Sequence, residues 1–450
     1  MQACRAKWEE REIMAELPLR KRIYFGMGGL TMNLPDMIIG QWILVRYTPA
    51  DSSKHLMLPA LCGVILMLGR LMEGFSNPII ANWSDNSKHR WGRRLPLIRF
   101  GIVPFALVFF LLFVPPVDHN HWVNVVYLLV LTQVYFLLYS AIITPYLALL
   151  PEIASTMKER VNLTTAQSVF MIFGISLFAT VGPAITRFGW VAMAGTVGLL
   201  VFLFFLPVSC GIQEKKQTAV QEAEPLRLWP SMVLCWRNKP FRYVLFSTAF
   251  YFYGLTGILA LVPFWTEVYL ERSKDDVAML MIPFLLMNVI SFFVFNALSR
   301  RFGKYVLLLI TYLAAGLCMA SLCLVGHFPL GSPFLQTGVI MGLFGIPVAG
   351  FMVLPYAVLA DVIDYDEQHT GRRREAIFFG VQGIGQKVLI GLSMLSLTIV
   401  PYLGGGEEGG MTPFGLKLMA LLCGIACFVA FLLFLGYPLR EKEGGGASAG

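Results

Sequence analysis

Four ionisable residues sit inside long apolar runs of this chain, away from the ends of those runs: Asp36, Arg70, Glu73 and Lys387. A charge at the centre of a bilayer helix costs roughly 2.5–3.5 kcal/mol on insertion scales, so such residues face a partner or a water-filled path. Two acids against two bases sum to zero, as expected where buried charges must pair to offset desolvation. That neutrality serves a structural ion-pair network as well as a site that binds a solute and an ion. Arg70, Glu73 and Asn77 are spaced i, i+3, i+7, which places all three on one helical face. A carboxylate beside a cation in a cavity takes up a proton or an alkali ion, which makes Glu73 the leading group for ion coupling. A short hydrophilic loop follows, crowded with Lys88, Arg90, Arg93 and Arg94, and basic loops of this kind mark the cytoplasmic side of a membrane.

The elements that must hold these residues are membrane spans. The 450 residues are 57% hydrophobic and 14% charged, with a mean hydropathy of +0.68. A soluble domain carries about 25% charged residues, so this is a polytopic membrane protein. The net charge of +8 resides in short loops between apolar runs, which excludes a nucleic-acid partner. Twelve spans of bilayer length are predicted, near 23–47, 56–82, 96–115, 122–150, 163–186, 188–211, 242–266, 277–299, 303–325, 333–360, 376–402 and 412–436. Only Arg187, Phe188 and Gly189 separate the fifth from the sixth. The basic loops follow even-numbered spans, so both termini are expected in the cytoplasm. Most of the eight cysteines fall in spans, no C-x-x-C occurs, and free buried thiols are expected.

The second half of the chain echoes the first. The loop WGRR (91–94) returns as FGKY (302–305), and Pro145-Tyr146 returns as Pro355-Tyr356. An acid follows each Pro-Tyr (Glu152, Asp361), and then a glutamine (Gln167, Gln382). Two parallel six-helix repeats with a solute site between them near mid-membrane are a transporter design. The expected organisation is an N-terminal segment (1–22), a six-helix bundle (23–212), a polar central loop (213–241), a second bundle (242–437) and a disordered tail (438–450).

Specific motifs refine this. R-x-x-E-G-x-x-N-P at 70–78, then S-D-N-S-K-H-R-W-G-R-R-x-P at 84–96, resembles the helix-2 signature of the glycoside–pentoside–hexuronide:cation symporters, the melibiose permease branch of the major facilitator superfamily. NKPF (238–241) and ADVIDYDEQHTGRRREAIFFGVQ (360–382) resemble further elements of that family. The resemblance implies an all-α membrane protein of twelve transmembrane helices in two pseudo-symmetric six-helix bundles, the major facilitator fold. It also implies a cation site at Glu73 and Asn77 assisted by helix 4, with Lys387 coupling that site to the solute. Where the family has two aspartates, this chain has Glu73 and an uncharged Asn77, which favours H⁺ over Na⁺ as the coupling ion.

For the solute, the resemblance implicates Asn33, where galactoside permeases carry Asp, with Asp36 one turn on, and Gln167, where melibiose permease has an arginine, together with Gln382. Arg70, Tyr139 and Tyr356 complete the candidate set, and Tyr135, Tyr146, Tyr251, Tyr253 and Trp265 are further aromatic candidates. Asp361, Asp364, Arg373 and Glu375 would form a cytoplasmic gate, with Arg93, Arg94 and Arg160 as partners from the other half. The expected function is secondary active transport of a small neutral hydroxylated solute, a sugar or glycoside, coupled to H⁺ or Na⁺. Alternatives are an amphiphilic, lysolipid-like solute or a non-transporting sensor. No H-E-x-x-H, G-x-S-x-G or Walker motif indicates an enzyme. No cofactor is expected beyond the coupling ion. The partners are the solute and the bilayer, and the protein is expected as a monomer in the plasma (inner) membrane.

Overall fold

The computed structural model describes residues 17–439 apart from 88, 155, 213, 215–232, 234, 328, 330, 372–373 and 405–409. Most of the expected N-terminal segment and of the central loop, the tail beyond 439 and Arg373 therefore lie outside the described residues. Twelve long helices fill the remainder: α1 Leu19–Tyr47, α2 Pro59–Asn86, α3 Leu95–Leu112, α4 Trp122–Ile153, α5 Met157–Ala179, α6 Val181–Gly211, α7 Lys239–Phe264, α8 Asp276–Phe302, α9 Lys304–Ser321, α10 Pro333–Thr370, α11 Glu375–Leu397 and α12 Pro413–Leu435. Among the described residues, eleven helices are long and apolar enough to cross a bilayer. α1 has the length, but Asn33, Asp36 and Gln41 hold its hydropathy down.

Helix starts follow from local chemistry. Thr156 opens α5 in a reciprocal capping box with Glu159. Ser332 and Thr412 cap α10 and α12, each followed at once by a proline whose missing N–H costs nothing there. The NKPF motif works in the same way at α7. Asn238 accepts from the Phe241 N–H at 3.0 Å, Pro240 occupies the first turn, and the buried Phe241 ring meets Phe378 of α11 edge-on at 4.9 Å. The Asn238 amide also donates to Asp366 at 3.2 Å.

Several boundaries differ from the sequence expectation. α5 ends at Ala179, seven residues early, and the expected turn at 187–189 is a kink inside α6, where Gly189 takes φ 81°. α10 does not stop at 360: it runs ten residues further and ends on Gly371 in the left-handed region, so the charged stretch read as a loop is helical. Its charges are polar enough to leave an apolar span, yet none of them breaks a helix. Finally, α7 closes with a π-helical turn, Trp265–Tyr269.

Packing divides the chain into two compact units. One comprises the described residues of 17–39, 76–115 and 133–214, and the other those of 40–75, 116–132 and 233–439. This differs from the expected division along the chain, and the reason is visible within the second unit. There the late turns of α1 and the early turns of α2 are buried against α7 and α11, as described below. In that unit α7 packs on α11 and α12, and α10 on α8 and α9; in the first, α3 packs on α6.

Candidate functional site

The second unit brings three of the four intramembrane charges together. Glu73 is 2% exposed and Arg70 5%. One Glu73 oxygen accepts from the Arg70 guanidinium at 3.0 Å, and the other from the Lys387 ammonium at 2.6 Å. The first contact is the i, i+3 pair of one helix face. The second joins α2 to α11 and needs the two backbones close.

Small residues provide that closeness. A Cβ at Gly63 would overlap the Thr398 hydroxyl. At Gly391 it would meet Met67 Cγ at 2.9 Å, and at Gly74 it would lie 3.3 Å from Lys387 Cβ. Partners therefore run 63–398, 67–391 and 74–387: numbers rise along α2 as they fall along α11, and the helices are antiparallel. Small residues at such a crossing let helix backbones approach in lipid. Of four glycines on α11, Gly385 and Gly391 have close neighbours, whereas Gly380 and Gly383 have nothing within 4 Å of a Cβ. Gly40 of α1 leaves room for the Arg70 guanidinium and Met394. Gln41, a buried amide that the sequence reading missed, donates to the Leu259 carbonyl of α7 at 2.7 Å; its signal was a polar residue within an apolar run. Gln382 is 2% exposed and donates to Thr248 at 3.4 Å.

The first unit holds several of the other candidates. Asp36 and Asn33 are half-buried on α1. Asn77 accepts from Thr144 of α4 at 3.1 Å, and the neighbouring Ser76 pairs with Ser140 at 2.8 Å. Gln167 reaches Met32 Sδ at 3.9 Å, and Tyr139 donates to the Met32 carbonyl at 2.8 Å. Several other aromatic candidates serve packing instead. Tyr135 and Tyr251 are fully buried, with Tyr251 stacked on Phe351 at 3.8 Å. Tyr253 donates to Ser396, and the Trp265 indole to Thr337. The Pro-Tyr echo also splits in environment. Tyr146 is buried and bonded to the Phe25 carbonyl, whereas Tyr356 is exposed beside Phe379.

The gate candidates are paired within each unit. In the first, Glu152 accepts from Arg93 at 2.8 Å and lies 3.4 Å from Arg94, which also meets Asp85 at 2.9 Å. In the second, both Asp361 oxygens accept from Lys304 at 2.7 Å. These match position by position in the repeat, and the turn glycines before each base, Gly92 and Gly303, both have positive φ (108° and 76°). Each unit thus holds an acid–base pair of its own at this end. Arg160 is exposed, as are Asp364 and Glu375. Asp366 was not among the candidates, yet it is the buried acid here, 3.7 Å from Arg374.

Glu214 was also unforeseen. Its carboxylate accepts from the backbone N–H groups of Arg93 at 2.6 Å, Arg94 at 2.8 Å and Leu95 at 2.6 Å. These are the orphan donors at the start of α3, and a carboxylate also suits the positive end of the helix dipole. Glu214→Ala is expected to cost about 1.5–3 kcal/mol, the range for hydrogen bonds to a charged group. Hydrogen exchange of the Arg93–Leu95 amides reads this directly, and unchanged protection would remove the capping role.

Away from the spans, Asp51 is held down to about 2 by its hydrogen bonds with Lys54 and Ser53. The seven described cysteines are free thiols. Cys210 is exposed, against expectation, and burial pushes the Cys235 thiol up to about 12, which makes it unreactive.

Long apolar helices, an internal repeat and a buried charge cluster at a helix crossing define a membrane transporter of the major facilitator fold. The chain belongs to the MFS/sugar transport protein family, whose sequence model matches residues 24–441. This agrees with the resemblance to the glycoside–pentoside–hexuronide:cation symporters, and the family is one of transporters, not enzymes. Among its relatives, an isoprimeverose transporter of Lactiplantibacillus pentosus is 24% identical over 86% of this chain and 81% of its own length. A sodium-dependent lysophosphatidylcholine symporter of Gallus gallus is 24% identical over 96% of this chain and 89% of its own. A crystal structure of the nucleoside transporter NupG, in a point-mutant form, shares the fold at a TM-score of 0.64 and 13% identity, covering 92% of this chain and 99% of that one.

Proposed function

We propose that this protein is a symporter that moves a small neutral hydroxylated solute, a sugar or glycoside, with H⁺ as the favoured coupling ion. The observation that carries the reading is the double engagement of Glu73, one oxygen on Arg70 and the other on Lys387. A coupling cation must compete with an ammonium for this carboxylate. A proton does so by neutralising Glu73 and releasing Lys387, whereas Na⁺ needs several oxygen ligands at once. Asn77, one turn along α2, offers an oxygen without charge, and Thr144 is already bonded to it.

Released Lys387 then becomes a donor for a solute hydroxyl, in company with Gln382 on the same helix. Asn33, Asp36, Gln167 and Tyr139 carry donors and acceptors suited to hydroxyls, and Tyr356 offers a ring face. Transport proceeds by alternating access. The paired ends Arg93–Glu152 and Lys304–Asp361 brace each half at the cytoplasmic side, with both termini on that side. A lysolipid-like solute is the second reading, favoured by the coverage of the lysophosphatidylcholine symporter relative.

Counterflow in proteoliposomes tests the proposal. Radiolabelled isoprimeverose, lactose and lysophosphatidylcholine are offered under an imposed pH gradient or an imposed Na⁺ gradient. Accumulation of a glycoside driven by the pH gradient alone is expected. Accumulation only of the lysolipid, or only with Na⁺, would replace this reading, and no flux of any of the three would leave the sensor alternative.

A further inference from the structure

The loop before α3 carries a cluster that the transport chemistry does not use. Trp91 stacks on Phe100 of α3, with ring centres 5.7 Å apart and planes at 29°. Two guanidinium groups lie against the same indole, Arg90 at 5.0 Å and Arg99 at 5.2 Å from the ring centre. The His89 ring is edge-on to both aromatics, at 5.1 Å from Trp91 and 6.4 Å from Phe100. Its Nδ1 accepts from the Trp91 N–H at 3.2 Å, which leaves the Nε2 position free to carry the donor hydrogen.

Two like charges against one ring repel each other, and a nearby anion offsets that repulsion. No carboxylate pairs with Arg90 or Arg99 among the described residues. The nearby acids are committed elsewhere: Asp85 to Arg94, Glu152 to Arg93 and Arg94, and Glu214 to the start of α3. Arg99 is fixed by a hydrogen bond from Nε to the Ser209 carbonyl at 2.7 Å, which leaves its terminal nitrogens as donors. Beside these donors, Phe100 is 64% exposed on a span that crosses the bilayer. Guanidinium and imidazole donors around one indole, next to an apolar face that meets acyl chains, match a phosphate joined to a hydrocarbon tail, and guanidinium forks fit phosphate oxygens bidentately.

We infer that His89, Arg90, Trp91, Arg99 and Phe100 form a binding site for the phosphate of an anionic glycerophospholipid at the membrane interface. Basic pockets and aromatic belts at this depth recognise such headgroups on general grounds. The site is independent of the solute and of the coupling ion.

Native mass spectrometry of the full-length purified chain tests this with phosphatidylglycerol, phosphatidylcholine and sn-glycerol 3-phosphate as probes. The wild type is expected to bind phosphatidylglycerol about tenfold more tightly than phosphatidylcholine, from the added attraction of two arginines. R90Q/R99Q is expected to bind the two lipids alike. Arg90 makes no side-chain hydrogen bond among the described residues, so R90Q alone leaves the fold's hydrogen bonds there in place and is expected to lose part of the preference. Undiminished preference in R90Q/R99Q overturns the proposal. So does full displacement of the lipid by glycerol phosphate, which would make this a site for a dissolved phosphate.

Discussion

Replacing Glu73 by Gln is expected to abolish gradient-driven accumulation, while solute exchange across a membrane without a gradient remains measurable. The amide keeps the shape of the carboxylate but removes the charge that Lys387 and Arg70 approach at 2.6 and 3.0 Å. It also has no ionisable proton, so uptake by the variant loses its response to an imposed pH gradient. Stability falls with it. Removing one partner of a buried ion pair costs about 3–5 kcal/mol, because the remaining charge stays desolvated and uncompensated. Glu73→Gln combined with Lys387→Met removes one of the two stranded cations and is expected to regain a substantial part of that loss. Transport assays and thermal melting of both variants measure the two effects separately. Accumulation on a pH gradient by Glu73→Gln at the wild-type level would sink the coupling role, whatever its effect on stability.

Gly391→Val acts on the same cluster from a distance, through the backbone. A Cβ there already lies 2.9 Å from Met67 Cγ, 3.1 Å from Met67 Cα and 3.3 Å from its carbonyl oxygen. The Met67 side chain can turn away, but its main chain cannot, so α2 and α11 must part. Overpacking of this kind costs about 1–3 kcal/mol. One turn away, the 2.6 Å contact between Lys387 and Glu73 opens as the helices separate. A fall in melting temperature together with a loss of coupled uptake is therefore expected. Gly383→Ala on the same helix is the control. Nothing lies within 4 Å of its Cβ, and Ala is favoured over Gly in a helix by about 1 kcal/mol. Equal melting temperatures for Gly391→Val and Gly383→Ala would contradict the crossing described here.

Which residues were legible in the sequence depended on the kind of force that places them. Bilayer physics acts on runs of about twenty residues, so the twelve helices and the oddity of Asp36, Arg70, Glu73 and Lys387 could be read from the chain alone. The repeat was legible for a similar reason: a turn needing positive φ requires glycine, and Gly92 and Gly303 recur with a base after each. Pairing, in contrast, depends on which helices touch. Along the chain Glu73 has two intramembrane bases to choose from, and only the close crossing at Gly74 and Gly391 brings Lys387 onto it beside Arg70. Glu214 looks like one acid among several beyond a span, and only the fold carries it to the three free N–H groups before α3. Likewise Asp361 accepts from Lys304 at 2.7 Å, a base that was not among the candidates. Composition and local spacing determined the helices and the residues able to do chemistry. Tertiary packing alone decided their partners, because a charge in a low-dielectric interior is held by whatever counter-charge the backbone brings within about 3–4 Å.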